Sequence, residues 1–186
     1  MKEDGVVLVQ SQWTRVIPYL VRRMHGRLQG SPLENFIPSN AILVPAPRSS
    51  PTKSGSLHPT KVICRQMIEH GIGGEMKELL ERSKAVPKAA IAKTIEDRPT
   101  VQEHFSSMKI MQELGVDKPL VLVDDVVTTG AMLLASVSRL QEAFPNYPVY
   151  TFALFRTIGG GEEVSGIDEP CRGRIRLRGE RALRAP

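Results

Sequence analysis

The sequence predicts an α/β fold, and three consecutive segments carry that reading. "KPLVLVDD", residues 118–125, is a continuously apolar run of the kind buried on both faces of a parallel sheet. "GAMLLASVSRLQEAF" then places Met132, Leu133, Val137 and Leu140 at helical spacing, and "PVYTFALF" is a second strand. Strand, helix and strand in this order predict a βαβ unit with a right-handed crossover. The 186 residues, 41% of them hydrophobic, suffice for one well-buried core and favour a single domain over residues 1–186.

The other elements follow along the chain. After the short apolar stretch "GVVLVQ", the segment "SQWTRVIPYLVRRMHGRL" predicts a helix opened by Ser11, with Pro18 as an interruption and Trp13, Val16, Ile17, Leu20, Val21 and Met24 as packing residues. "GSPLENFIPSN" is a loop, and "AILVPAPRSS" a short strand stopped by Pro45 and Pro47. In "HPTKVICRQMIEHGIG", Val62, Ile63, Met67 and Ile68 share a helical face and Gly71 supplies the stop. Residues 75–118 show no sustained periodicity, and part of them is expected to be a mobile excursion. The end, "CRGRIRLRGERALRAP", predicts a short strand around Ile175 before a frayed basic tail. This divides the chain into an N-terminal helical or hood segment (1–40), a core (41–155) and a basic extension (156–186).

Composition bounds the function classes. Cys64 and Cys171 stand far apart with no Cys-x-x-Cys or Cys/His cluster, which argues against a zinc site or a disulfide framework and for a reducing, cytoplasmic setting. "MKEDGVVLVQ" has no long apolar signal region, and no run reaches the roughly 18 apolar residues of a membrane span. No Walker A loop is present. The net charge of +5 is regional, because residues 171–186 alone hold six arginines against Glu180. That distribution suits a polyanionic ligand, a phosphorylated metabolite or a nucleic acid, and it equally suits a solvated surface.

The chemistry concentrates after the "LVLV" run. Asp124 and Asp125 end the strand, where ligands of open α/β sheets gather. Thr128, Thr129 and Gly130 then form a turn that opens a helix, whose unpaired amides and positive dipole end favour an anion. Carboxylates beside a phosphate call for donors further along the ligand, such as sugar hydroxyls. The stretch therefore matches a ribose 5-phosphate; helix capping by the two aspartates is the plainer reading.

"VLVDDVVTTGAML" resembles the phosphoribosyl-pyrophosphate (PRPP) motif of type I phosphoribosyltransferases. The resemblance implies a type I phosphoribosyltransferase fold, with a central, mainly parallel sheet flanked by helices. It also implies that Val126, Val127, Thr128, Thr129, Gly130 and Ala131 wrap the 5-phosphate while Asp124 and Asp125 bind the ribose hydroxyls. It assigns pyrophosphate to the loop after the first core strand, Ala46, Pro47, Arg48 and Ser49, where the arginine fork suits phosphate oxygens. A basic lid is implied over "RSKAVPKAAIAKTIEDR", residues 82–98, which carries Arg82, Lys84, Lys88, Lys93 and Arg98; Lys84 and Lys88 are the expected catalytic cations. Magnesium would arrive with PRPP near Asp124 and Asp125, with no metal held directly by the protein.

Members acting on 6-oxopurines usually have a further aspartate where this chain has Thr128, so another nitrogenous acceptor, orotate-like, adenine-like or amide-like, is expected. The nearest group is the competence protein F-like one, which the chain resembles in "LVPAP", "DDVVTTGAML" and "EDRPTVQEHF". It lacks that group's four-cysteine zinc knuckle and has "SGSLHPTK" in place of an Arg-Gly-Phe-Asn-Gln run. His58 and His104 are weak candidates for a general base. An alternative is a catalytically idle module of the same fold that senses PRPP or a nucleotide and binds nucleic acid or a partner protein through the Arg172–Arg184 tail. In a strand, Arg172, Arg174, Arg176 and Arg178 would share one face. A homodimer is open.

Overall fold

The computed structural model describes residues 5–9, 12–31, 33–51, 57–87, 94, 97–111, 115–158, 166 and 168–185, without the side chains of Val7 and Trp13. Its centre is a four-stranded parallel sheet of order β4-β3-β7-β8, made of β3 (Ile42–Pro45), β4 (Glu75–Met76), β7 (Leu120–Val127) and β8 (Val149–Arg156). The architecture is α/β, as the βαβ pattern predicts. β7 and β8, eight residues each, pair at seven positions and are joined by α4 (Ala131–Ala143).

Both faces of the sheet are covered, which explains why β3 and β7 are apolar without alternation. Ile42, Val44, Leu120 and Leu122 point to one face and pack with Leu133 and Leu140 of α4. Leu43, Val121 and Val123 point to the other and pack with Ile63, Cys64 and Met67 of α2 (Pro59–Glu69) and Val21 of α1 (Val16–Leu28). α2 opens with Pro59 at its first position, where the missing N–H costs nothing. It closes in a Schellman motif: Gly71 has φ +76°, its N–H donates to the Ile68 carbonyl at 2.9 Å, and that of Ile72 donates to Met67 at 2.9 Å.

Three expectations are corrected, and the excursion expected within residues 75–118 falls in part outside the described residues. The first helix starts at Val16, not Ser11, because Gln12–Arg15 forms β2, antiparallel to β1 (Val6–Val9). Pro18 causes no interruption, since it lies in the first turn of α1, where no intrahelical amide is required. Within residues 75–118 lie β4, β5 (Leu80–Arg82), α3 (Val101–Ser106) and β6 (Met108–Ile110), with β5 and β6 antiparallel. α3 has a complete capping box, Thr100 Oγ1 accepting from Glu103 N–H and the Glu103 carboxylate accepting from Thr100 N–H. Finally, the basic tail is not frayed: β9 (Arg174–Arg178) and β10 (Arg181–Ala185) make a hairpin around Gly179, which has φ +61°.

Candidate functional site

β3 and β7 are neighbours whose following helices diverge, α2 to one face and α4 to the other. Their carboxyl ends therefore bound a crevice at a topological switch point, the default ligand position in an open α/β sheet. Pro45 is paired with Val123, and Ala46 N–H donates to the Val123 carbonyl at 2.8 Å. The 46–49 loop thus lies beside the start of the acidic pair.

Alternation along β7 sends Asp124 to the α4 face and Asp125 to the α2 face. Asp124 is 7% exposed, and its Oδ1 accepts from Asp125 N–H at 2.9 Å. Burial, reinforced by the charge of Asp125, pushes its carboxyl up to about 8. Asp125 is half-buried and accepts from Val126 N–H at 2.8 Å. Neither aspartate caps α4, whose N-cap is Gly130 with no side-chain cap bond. The plainer reading of the pair therefore fails.

Gly130 has φ +87°, a conformation that makes glycine the natural residue here, and its carbonyl accepts from Leu134 N–H at 2.9 Å. Thr128 and Thr129 are half-buried and Val126 is 43% exposed, while Val127 and Ala131 are buried. Among the described residues, the amides of Thr128, Thr129, Gly130 and Ala131 have no protein acceptor. The turn has donors available for an anion.

The 46–49 loop is held by its carbonyls. Thr60 Oγ1 donates to Ala46 O at 3.0 Å, Arg82 Nε to Arg48 O at 2.8 Å, and Val86 N–H to Ser49 O at 2.8 Å. Ala46 and Pro47 are buried, whereas Arg48 and Ser49 are half-buried. Arg48 donates to Leu57 O at 3.1 Å. His58 sits next to this contact, with Nδ1 2.9 Å from Thr60 Oγ1. The single hydroxyl proton of Thr60 goes to Ala46, so Nδ1 carries the imidazole proton and Nε2 keeps its lone pair. Burial, with the charges of Lys61 and Arg48, lowers His58 to about 4, and the charge of Asp125 also reaches it.

Of the lid residues, Lys84 is exposed beyond β5, its N–H 3.3 Å from Ser107 O, and it makes no contact with either aspartate. Lys88 and Lys93 lie outside the described residues. Arg82 is no lid cation: it is 3% exposed and donates to Arg48 O, His104 O and Ser107 Oγ. Burial lowers it to about 10. His104, 7% exposed beside it, is lowered to about 4 by burial and then by the charge of Arg82. His104 is a packed neutral group of α3 held against Arg82.

Sequence reasoning missed two partners of the turn. Ile175 of β9 packs on Gly130, and Arg184 of β10 donates from Nε to Thr128 O at 3.0 Å and from its guanidinium to Thr157 O. The basic extension is also fastened elsewhere. Arg23 and Arg27 pair with Asp168, and Arg172 lies over the Phe36 ring at 5.8 Å.

Magnesium prefers oxygen ligands and is commonly held by one or two carboxylates with substrate phosphates. Among the described residues no cluster of three or more His, Cys, Asp or Glu is suited to a metal. Asp124 and Asp125 fit only the shared arrangement. No helix among the described residues is long and apolar enough to cross a membrane.

No family model matches the chain, and no curated protein matches it. Among solved structures, it is similar to a hypoxanthine-guanine phosphoribosyltransferase from Bacillus anthracis, at 14% identity over 85% of this chain and 76% of that one, with a TM-score of 0.43. A hypoxanthine phosphoribosyltransferase from Staphylococcus aureus is similar at 10% identity over 84% and 77%, TM-score 0.43. One from Trypanosoma cruzi, in complex with the product IMP, is similar at 16% identity over 82% and 66%, TM-score 0.38.

Proposed function

We propose that the chain is a phosphoribosyltransferase of the type I fold, which binds PRPP and transfers its phosphoribosyl group to a nitrogenous acceptor with release of pyrophosphate. One observation carries the reading: Asp124, Asp125 and the open amides of residues 128–131 meet the pinned 46–49 loop at the crevice between β3 and β7. The amides and threonine hydroxyls would hold the 5-phosphate. Asp125 and Asp124 would accept from the ribose hydroxyls, Asp124 giving up its proton as it does so. Arg48 and Ser49 would hold the pyrophosphate.

In the transfer, the bond from ribose C1 to pyrophosphate oxygen breaks and a bond from C1 to the acceptor nitrogen forms. Carboxylates beside the ring stabilise the positive charge that develops on it. Magnesium, when bound with PRPP, would neutralise charge on the leaving group. Lys84 and Lys88 are proposed as the lid cations, and a cytoplasmic setting is proposed from the free thiols. Thr128 in place of an aspartate favours an acceptor other than a 6-oxopurine, and the competence protein F-like group is the proposed affiliation.

Incubation with PRPP, magnesium and a panel of acceptors, orotate, adenine and amide donors beside hypoxanthine and guanine, tests this by pyrophosphate release. Release with an acceptor outside the 6-oxopurines, lost in Asp125→Asn, is expected. No release with any acceptor or water would remove the transferase reading. A second reading, an idle module that senses the same ligand, is favoured by the seating of Ile175 on Gly130, which ties the turn to a non-core hairpin.

A further inference from the structure

The β9–β10 hairpin has two unlike faces. Its register sets Arg174 opposite Ala185, Ile175 opposite Arg184, Arg176 opposite Leu183, Leu177 opposite Ala182 and Arg178 opposite Arg181. Opposed residues share a face and successive ones alternate. Ile175, Leu177, Ala182 and Arg184 therefore form one face, and Arg174, Arg176, Arg178, Arg181, Leu183 and Ala185 the other. The first is anchored through three of its four members, with Leu177 59% exposed: Ile175 rests on Gly130, Ala182 is buried, and Arg184 binds the Thr128 and Thr157 carbonyls. All six members of the second are exposed.

Arg174, Arg176 and Arg178 thus stand in line at a repeat of about 6.7 Å, twice the strand rise. None of the three has a hydrogen-bond or ion-pair partner among the described residues. Arg178 also faces Arg181 directly, and opposed like charges destabilise a strand pair. A regular, one-dimensional row matches the repeating charge of a phosphodiester backbone better than the irregular patch of an acidic protein. Leu183, 55% exposed among the arginines, offers an apolar contact for a base. Arginine forks grip phosphate oxygens in pairs.

We propose that the outward face of the β9–β10 hairpin docks single-stranded nucleic acid, with Arg174, Arg176 and Arg178 on successive phosphates and Leu183 against a base. The surface is the hairpin face opposite the one that rests on Gly130 and Thr128, and the proposal stands whether or not PRPP binds at that turn.

The test is fluorescence anisotropy of a labelled, mixed-sequence single strand titrated with the full chain at several salt concentrations. Neutralising three phosphates contributes about 2 to the slope of log K against log salt for a single strand. Arg174→Gln/Arg176→Gln/Arg178→Gln is expected to lower the slope by about that amount and the low-salt affinity at least about tenfold, while the triple lysine variant retains most of both. The glutamine variant should melt no lower than the wild type, because it removes repulsion. If it is misfolded, the three single variants decide, each lowering the slope by about 0.7. Absence of wild-type binding at low salt, or unchanged affinity and slope in the variants, overturns the proposal. Tighter binding to duplex of the same sequence, to polyglutamate or to phosphatidylserine vesicles overturns it equally.

Discussion

Ile175 is packed directly over Gly130: a Cβ built on the glycine would lie 2.6 Å from Ile175 Cδ1 and 2.9 Å from Cγ1 and Cγ2. The C-terminal hairpin is thereby seated on the turn that opens α4. Gly130→Ala meets two penalties, a left-handed φ and the isoleucine, and is expected to cost about 2–4 kcal/mol. Ile175→Ala alone removes a half-buried contact at about 1 kcal/mol. In the double variant the alanine Cβ has room but keeps its φ strain, so the total should fall below the sum of the singles. Urea unfolding of the four proteins checks this, and strict additivity would mean the two residues do not touch.

Stability should depend on pH as a dome. His58 and His104, both lowered to about 4, stay neutral in the folded chain while their unfolded counterparts take up protons below about 6.5. Stability is lost as pH falls from about 6.5 to 4. Asp124, raised to about 8, acts in the opposite sense: it keeps its proton when folded and loses it when unfolded, so stability is lost as pH rises from about 4 to 8. Two histidines outweigh one aspartate on the acid side, and the aspartate acts alone above about 6.5, with limbs on the order of 1 kcal/mol per pH unit. Asp124→Asn should flatten the alkaline limb and raise the melting temperature at pH 8 by roughly 5 °C, as thermal unfolding across pH would show. An unaltered alkaline limb would contradict the burial of this carboxyl.

Arg82 ties three elements through the carbonyls of Arg48 and His104 and the hydroxyl of Ser107. Arg82→Met keeps the stem's packing but leaves those acceptors short of donors, at an expected cost of about 2–4 kcal/mol. Because the guanidinium charge helps depress His104, the same variant should raise the His104 pKa while burial keeps it below the usual value. Denaturant unfolding and an NMR titration of the imidazole read the two effects separately.

The parts of this molecule legible in its sequence are those whose pattern is local. The unbroken apolar run of β7, the helical spacing of Leu133 and Leu140 and the stop at Gly71 each follow from one segment's own burial or backbone need. Residues 12–15 read as helix because Trp13 and Val16 fit its period, yet pairing with β1 claims them. The order in 75–118 comes from β5 and β6, three residues each, too short for a periodic signal. The C-terminal hairpin did leave a sign, two runs split by Gly179-Glu180, but the high charge of "RIRLRGERALR" reads as a solvated tail unless the turn is weighed. At the site, the paired acids and the following turn are readable as a motif, although β7 runs two residues past the acids to Val127. The burial that raises Asp124, the pinning of Arg48 by Arg82 and the seating of Ile175 are long-range contacts that no single segment encodes.

The central claim is that the crevice between β3 and β7 holds a phosphorylated ribose between the aspartates and the turn. Calorimetric titration of PRPP with magnesium, in two buffers of different ionisation heat at pH 7, tests it most directly. One saturable site is predicted, competed by ribose 5-phosphate and by pyrophosphate, weakened at least about tenfold by Asp125→Asn, and accompanied by proton release that disappears in Asp124→Asn. A flat titration with PRPP, ribose 5-phosphate and pyrophosphate alike, or binding that the Asp125 variant leaves intact, would contradict it.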